Sequence, residues 1–283
     1  MKAGPGKGNR GTTLARRDGI EHGKEFELEG GPDAVLLLHG LTGSTFELVP
    51  VARRLHAAGM RCLAPVMAGH GGASSGLVGV PWAEWVGKAR RDLARLEGAR
   101  RTFVVGCSMG ALVACALAHD LPARVDALVL LAPALELQPQ GRLGALLGRA
   151  PFLRELVFPK RAGSDVADPE MRARNPCLDA VPVAAVRELE LLQAHVDRQL
   201  PGIAAPAIVI QGLRDHTVTV AGARRLARRI GSGPAQLVIL ERSWHLVGID
   251  VERDRCADAS AGFLEALPLP GRRRAPSRRS RPR

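Results

Sequence analysis

Short apolar runs alternate with longer helical patterns along this chain, and that rhythm restricts the fold more than any other feature. Strand-sized runs occur at 34–38 (AVLLL), 60–66, 101–105, 127–132 (ALVLLA), 207–211 and 236–241, with a weaker one at 25–29. Helical patterns fall near 46–58, 82–96, 109–119, 220–230 and 251–267. Strands that are apolar throughout, with helices between them, predict an α/β fold: a mostly parallel sheet covered by helices on both faces. Pro81 stands where a helix should begin, and Asp250 reads as the N-cap of the last helix.

The rhythm breaks between about 134 and 205, where Pro139, Pro151, Pro159, Pro169, Pro176 and Pro182 punctuate short segments. One amphipathic helix follows, about Val183–Leu200, with Val186, Leu189, Leu192 (or Gln193), Val196 and Leu200 on one stripe. The expected division is a core of 25–133 and 206–270, with 134–205 inserted as a small helical cap over the carboxyl ends of the strands. Ligands bind on that side of open α/β sheets. Residues 1–24 and 271–283 read as flexible ends, and no internal repeat is present.

At 283 residues, 46% of them hydrophobic, the chain can bury a full core. No apolar run approaches the ~20 residues that a membrane helix needs. The basic, Gly-rich start lacks the apolar stretch of a secretory signal, and the five cysteines show no paired or metal-binding spacing. A cytoplasmic protein with reduced thiols is expected. Of the net charge of +12, seven arginines sit in the tail GRRRAPSRRSRPR, leaving +5 on the rest. Such a run is a solvated extension that touches anionic surfaces weakly; without interleaved aromatics it implies no specific nucleic-acid partner.

The chemistry is concentrated in four places. FVVGCSMGA sets G-x-S-x-G between a strand and a helical run, so Ser108 falls on a sharp turn with its hydroxyl exposed, next to a helix N-terminus. AIVIQGLRDHTV puts Asp215 just beyond a buried strand, where a carboxylate can take a hydrogen bond from an imidazole; capping the following helix is its alternative role. LVILERSWHLVGID puts His245 in a loop after the last strand, as a general base requires. His216, next to Asp215 in sequence, reads as a neighbour rather than the base. LLLHGLTGS leaves a strand through a Gly-rich turn, so the amide of Leu41 can join that of Met109 in an oxyanion hole, worth ~3–4 kcal/mol per donor. His39 and His70 read as loop organisers.

With these residues in the order Ser, Asp, His, the chain resembles the α/β-hydrolase superfamily, and most closely its bacterial carboxylesterase and monoacylglycerol lipase branch. The matching stretches are AVLLLHGLTGS, APVMAGHG, PWAEW, GCSMGALVA, VAAVRELELLQAHVDRQLPGIAAP, IQGLRD and SWHLVGIDVERD, which span about residues 34–267. The resemblance implies the α/β-hydrolase fold, a triad of Ser108, Asp215 and His245, oxyanion donors on Leu41 and Met109, and no cofactor or metal. The cap stretch is rich in Leu, with Phe152 and Phe158, so a small ester with an apolar acyl group is the expected substrate. Leu41 stands where many relatives carry an aromatic residue, Ala111 where a glycine is frequent, and Trp244 where a small residue is frequent; these departures bear on pocket shape. A carbon–carbon bond hydrolase or an acyltransferase would use the same residues, and a non-catalytic ligand sensor would use the fold alone.

Overall fold

The computed structural model describes residues 20–269 apart from 22, 161 and 162; the expected flexible ends, 1–24 in large part and 271–283 entirely, lie outside the described residues. The elements run β1 (Phe26–Leu28), β2 (Asp33–Leu38), α1 (Val49–Ala57), β3 (Arg61–Ala64), α2 (Trp82–Ala94), β4 (Arg101–Cys107) and α3 (Met109–Asp120). Then come β5 (Ala127–Leu131), α4 (Pro139–Leu147), β6 (Val157–Pro159), α5 (Pro169–Arg174), β7 (Ala180–Pro182) and α6 (Val183–Gln199). The chain closes with β8 (Ala207–Gly212), α7 (Val220–Arg229), β9 (Gln236–Leu240) and α8 (Arg253–Glu265).

Seven strands form one sheet in the order β1-β3-β2-β4-β5-β8-β9. Only β1 runs antiparallel to its neighbour; the other pairs are parallel, as near-continuous apolar strands predict. Alternate side chains feed two separate cores. Leu36, Leu38, Val104, Leu128 and Leu130 pack with α2, α3, α6 and α7, while Val35, Leu37, Phe103, Val105 and Val129 pack with α1 and α8. Helix α3 lies deepest: every residue from Met109 to Ala118 is buried, which its sequence allows because it carries almost nothing but small and apolar side chains. The register sets Leu38 beside Gly106 and Cys107 beside Leu131, so the carboxyl ends of β2, β4 and β5 come level. Strand β2 pairs with β3 on one side and β4 on the other, and the crevice opens at that reversal of strand order.

The stretch between β5 and β8, which pair directly with each other, holds α4, α5 and α6 and a feature the sequence reading did not contain. Strands β6 and β7 form a two-stranded antiparallel ribbon, with Pro159 opposite Ala180 and Pro182 opposite Val157. The prolines read as breaks, but a ribbon of two edge strands tolerates residues that cannot donate to the ladder. Helix α6 begins over the crevice and ends in the core: Val186 and Leu189 face the pocket, while Leu192, Val196 and Leu200 are fully buried in the cluster that contains α3. Asp250 is not a helix cap. The last helix starts at Arg253, preceded by Glu252, and Asp250 is completely buried instead, accepting from the amides of Ala167 (2.9 Å), Asp168 (3.0 Å), Trp244 (2.6 Å) and Val251 (2.8 Å). An aspartate three residues ahead of a helix looks like a cap in sequence; its real partners are two amides of a distant loop and two of its own.

Candidate active site

Ser108 occupies the corner between β4 and α3 with φ +55° and ψ −113°, a conformation a non-glycine residue holds only when its surroundings enforce it. The enforcement is visible. Its amide donates to the Leu131 carbonyl at 2.8 Å, and its carbonyl accepts from Ala111 and Ala134, both at 3.2 Å. Two glycines let the corner close. A Cβ on Gly106 would stand 2.3 Å from the Gly110 carbonyl oxygen, and one on Gly110 would stand 2.1 Å from that of Leu38. Both distances exclude any side chain, so the G-x-S-x-G spacing is a steric requirement of this turn.

Asp215 and His245 arrive from the ends of β8 and β9. The Ser108 hydroxyl lies 2.9 Å from His245 Nε2, and His245 Nδ1–H donates to Asp215 Oδ2 at 2.8 Å. That pattern fixes the tautomer, with Nε2 free to receive the serine proton. Asp215 also keeps the turn that sequence reading offered as its alternative role: Oδ1 accepts from the Thr217 and Val218 amides, each at 2.8 Å. A fourth bond comes from Gln211 Nε2, at 2.8 Å to Oδ2. Burial pushes the Asp215 carboxyl up, but the charge and hydrogen bond of His245 and the two amides outweigh it and hold the group below its ordinary value. His245 shifts the other way. Burial disfavours the imidazolium, yet Asp215 above all, then Asp165 and Glu47, raise its pKa above 6.5.

The amides of Leu41 and Met109 flank the serine, Leu41 from the turn after β2 and Met109 as the first residue of α3; among the described residues neither is matched to a protein acceptor. Three side chains hold the turn. His39 takes the Met67 amide on Nε2 at 3.0 Å and donates from Nδ1 to the Gly40 carbonyl at 2.9 Å. His70 repeats the pattern with the Thr42 amide (3.1 Å) and the Ala68 carbonyl (2.9 Å). Burial drives His39 down to about 3 and His70 to about 4, so both are neutral at physiological pH and serve the loops. The third is Glu47, which sequence reading missed. It is buried, accepts from the Gly40 amide at 3.1 Å, and burial raises its pKa. Its legible signal is the S-x-x-E spacing from Ser44, a helix-start pattern.

A cavity of about 300 Å³ opens onto Ser108 and His245. Leu41, Leu137, Val181, Val186 and Leu189 supply apolar lining; Gln140, Lys160, Ser164, Asp165 and His216 supply polar lining. His216 pairs within that polar lining: its Nδ1 lies 2.8 Å from Asp165 Oδ1. Trp244 packs edge-on to the His216 ring at 4.6 Å and under the Arg172 guanidinium at 4.9 Å.

The family model described as serine aminopeptidase, S33 matches residues 32–252. A thermostable monoacylglycerol lipase of Bacillus sp. (strain H-257) is 27% identical over 242 residues, covering 84% of this chain and 93% of that protein. A carboxylesterase of Bacillus subtilis (strain 168) is 26% identical over 246 residues, covering 86% and 97%. In shape, a solved structure from work on the metagenome-derived lipolytic enzymes LipS and LipT superposes with a TM-score of 0.80 at 24% identity, covering 88% of this chain and 99% of that one. The match over most of the chain, on a sheet and corner of this geometry, places the protein in the serine aminopeptidase S33 family of α/β-hydrolases.

Proposed function

We propose that this protein is a carboxylic ester hydrolase, a carboxylesterase or monoacylglycerol lipase, acting through an acyl-enzyme on Ser108. The observation that carries the reading is the continuous relay from Ser108 through His245 to Asp215, opening onto a cavity with apolar lining. His245 takes the hydroxyl proton as Ser108 Oγ attacks the ester carbonyl, and the oxyanion rests on the amides of Leu41 and Met109. The alcohol leaves with the proton from His245, and water, activated by the same imidazole, releases the acid. Residues 134–205 act as the cap, and its apolar side chains receive the acyl group. Lining by Lys160, with Asp165 paired to His216 and Glu47 buried against the Gly40 amide, leaves no carboxylate among the described lining residues free to grip a peptide's terminal ammonium. An ester therefore fits this cavity better than the peptide suggested by the family's description, and the names of the two Bacillus relatives point the same way.

The test is hydrolysis of p-nitrophenyl esters from acetyl to palmitoyl by wild type and Ser108→Ala. The reading expects activity in the wild type and its loss by at least ~10³-fold in the variant, with an unchanged melting temperature. Equal inactivity of two folded proteins would discard simple esters and bring the carbon–carbon hydrolase and sensor readings forward. A cytoplasmic site fits five free cysteines, four of them buried; among the described residues no helix is long and apolar enough to cross a membrane. Weak contact of residues 271–283 with anionic surfaces belongs to the same proposal, and deleting them should remove any salt-sensitive binding to anionic vesicles.

A further inference from the structure

The chain between β5 and β8 lines the cavity and touches the loops that carry the relay. Asp165, half-buried, is the point of contact. Its Oδ2 accepts from the His216 amide at 3.0 Å and the Thr217 hydroxyl at 2.8 Å, and its Oδ1 takes the His216 ring at 2.8 Å. Its backbone carbonyl accepts from the Leu246 amide at 3.1 Å. One residue thus grips the two positions that follow Asp215 and the position that follows His245. Thr217 passes the restraint on, because its amide donates to Asp215 Oδ1. Two residues further along, Ala167 and Asp168 donate to Asp250, whose other oxygen holds the Trp244 amide, so the base is bracketed on both sides.

Charge adds to geometry. The acidic groups facing His245 are Asp215 from the loop after β8, Glu47 from the turn after β2 and Asp165. Burial holds Glu47 towards its neutral form. Against Asp165 itself lie His216, and Lys160 across the same cavity. A carboxylate in this water-poor site favours the imidazolium that forms when Ser108 attacks.

We propose that Asp165 is a positioning residue of the reaction: it locks the Asp215 and His245 loops in register and supplies a second negative charge beside the imidazolium. The inference rests on Ser108 being the nucleophile. The experiment therefore follows two signals across pH 5–9: labelling of Ser108 by a fluorophosphonate, which needs no knowledge of the substrate, and kcat and KM for p-nitrophenyl butyrate. Asp165→Asn keeps the shape and removes the charge. Its plateau rate should fall ~10-fold with KM within ~2-fold of wild type, as loss of alignment predicts. Its acid limb should move down by about half a pH unit, since a less stabilised imidazolium deprotonates more readily. Thr217→Val removes one grip and leaves the charge, so the rate should fall while the limb stays in place. Asp165→Glu should restore the limb. An Asp165→Asn protein with wild-type rates, or with a lowered rate and an unmoved limb, would overturn the proposal, as would a Thr217→Val protein with no loss of rate. A wild type that the fluorophosphonate does not label at Ser108 would instead overturn the nucleophile assignment, and the positioning role with it.

Discussion

In the proposed reaction His245 has to be neutral to accept the serine proton, and its surroundings raise its pKa above 6.5. Activity should therefore rise with pH through a midpoint above the ordinary histidine value, and a profile of kcat/KM with its acid limb below 6.5 would contradict the electrostatics described. Asp215→Asn should lower kcat by about 10⁴-fold, because the amide can donate to Nδ1 and select the wrong tautomer. Its limb should also move down, since the largest charge favouring the imidazolium is gone; a variant within ~10-fold of wild type would show that another group orients the ring. At this scale Ser108, Asp215 and His245 were all legible in sequence, because strand ends and turns announce themselves through composition. Gln211, Glu47 and Asp165 were not. Each acts through a partner set by packing: Gln211 sits inside a strand with its amide on Asp215, and Asp165 lies in a stretch whose path no periodicity reveals.

The corner between β4 and α3 is the element on which the site depends, and its tolerance is close to nil. Gly110→Ala would drive a methyl to 2.1 Å from the Leu38 carbonyl oxygen, and no flexible side chain is there to yield. The expected outcome is loss of ~3 kcal/mol or more of stability, read by urea denaturation, or failure to accumulate as folded protein. A stable Gly110→Ala enzyme would mean that strand and helix can separate. Strand and helix boundaries agree with the sequence reading to within a few residues wherever one apolar face governs the pattern. Pattern is silent where that signal is short or shared: ribbon β6–β7 has three residues a side, and Asp250 draws donors both from its own loop and from Ala167, 83 residues away in sequence. Replacing Asp250 by alanine should cost ~3–5 kcal/mol, since four amides lose a fully buried acceptor, and a loss under ~1 kcal/mol would show that the loops stand without it.

For the molecule as a whole, the buried neutral histidines set the response to acid. His39 and His70 titrate near 3 and 4 in the fold, against about 6.5 when unfolded. The unfolded chain therefore binds more protons, and stability falls as pH drops below 6.5, by about 1.4 kcal/mol per pH unit for each group while the fold holds. His245 acts in the opposite sense. Its raised pKa contributes stability that is complete below 6.5, so it adds no slope in that window. Urea titrations at pH 7.5, 6 and 5 should show the decline, and His70→Gln should remove about half of its slope; a flat profile would mean that the two rings are protonated in the folded state. The β5–β8 pairing has a different consequence. Two hydrogen-bonded neighbours are joined by 75 residues of intervening chain, and the entropy of closing such a loop grows only with the logarithm of its length, by about 0.6 kcal/mol per doubling. The sheet is therefore nearly indifferent to how long that excursion is. New acyl specificities can be grafted there by lengthening or exchanging whole segments, provided that the few residues around Asp165 are carried along.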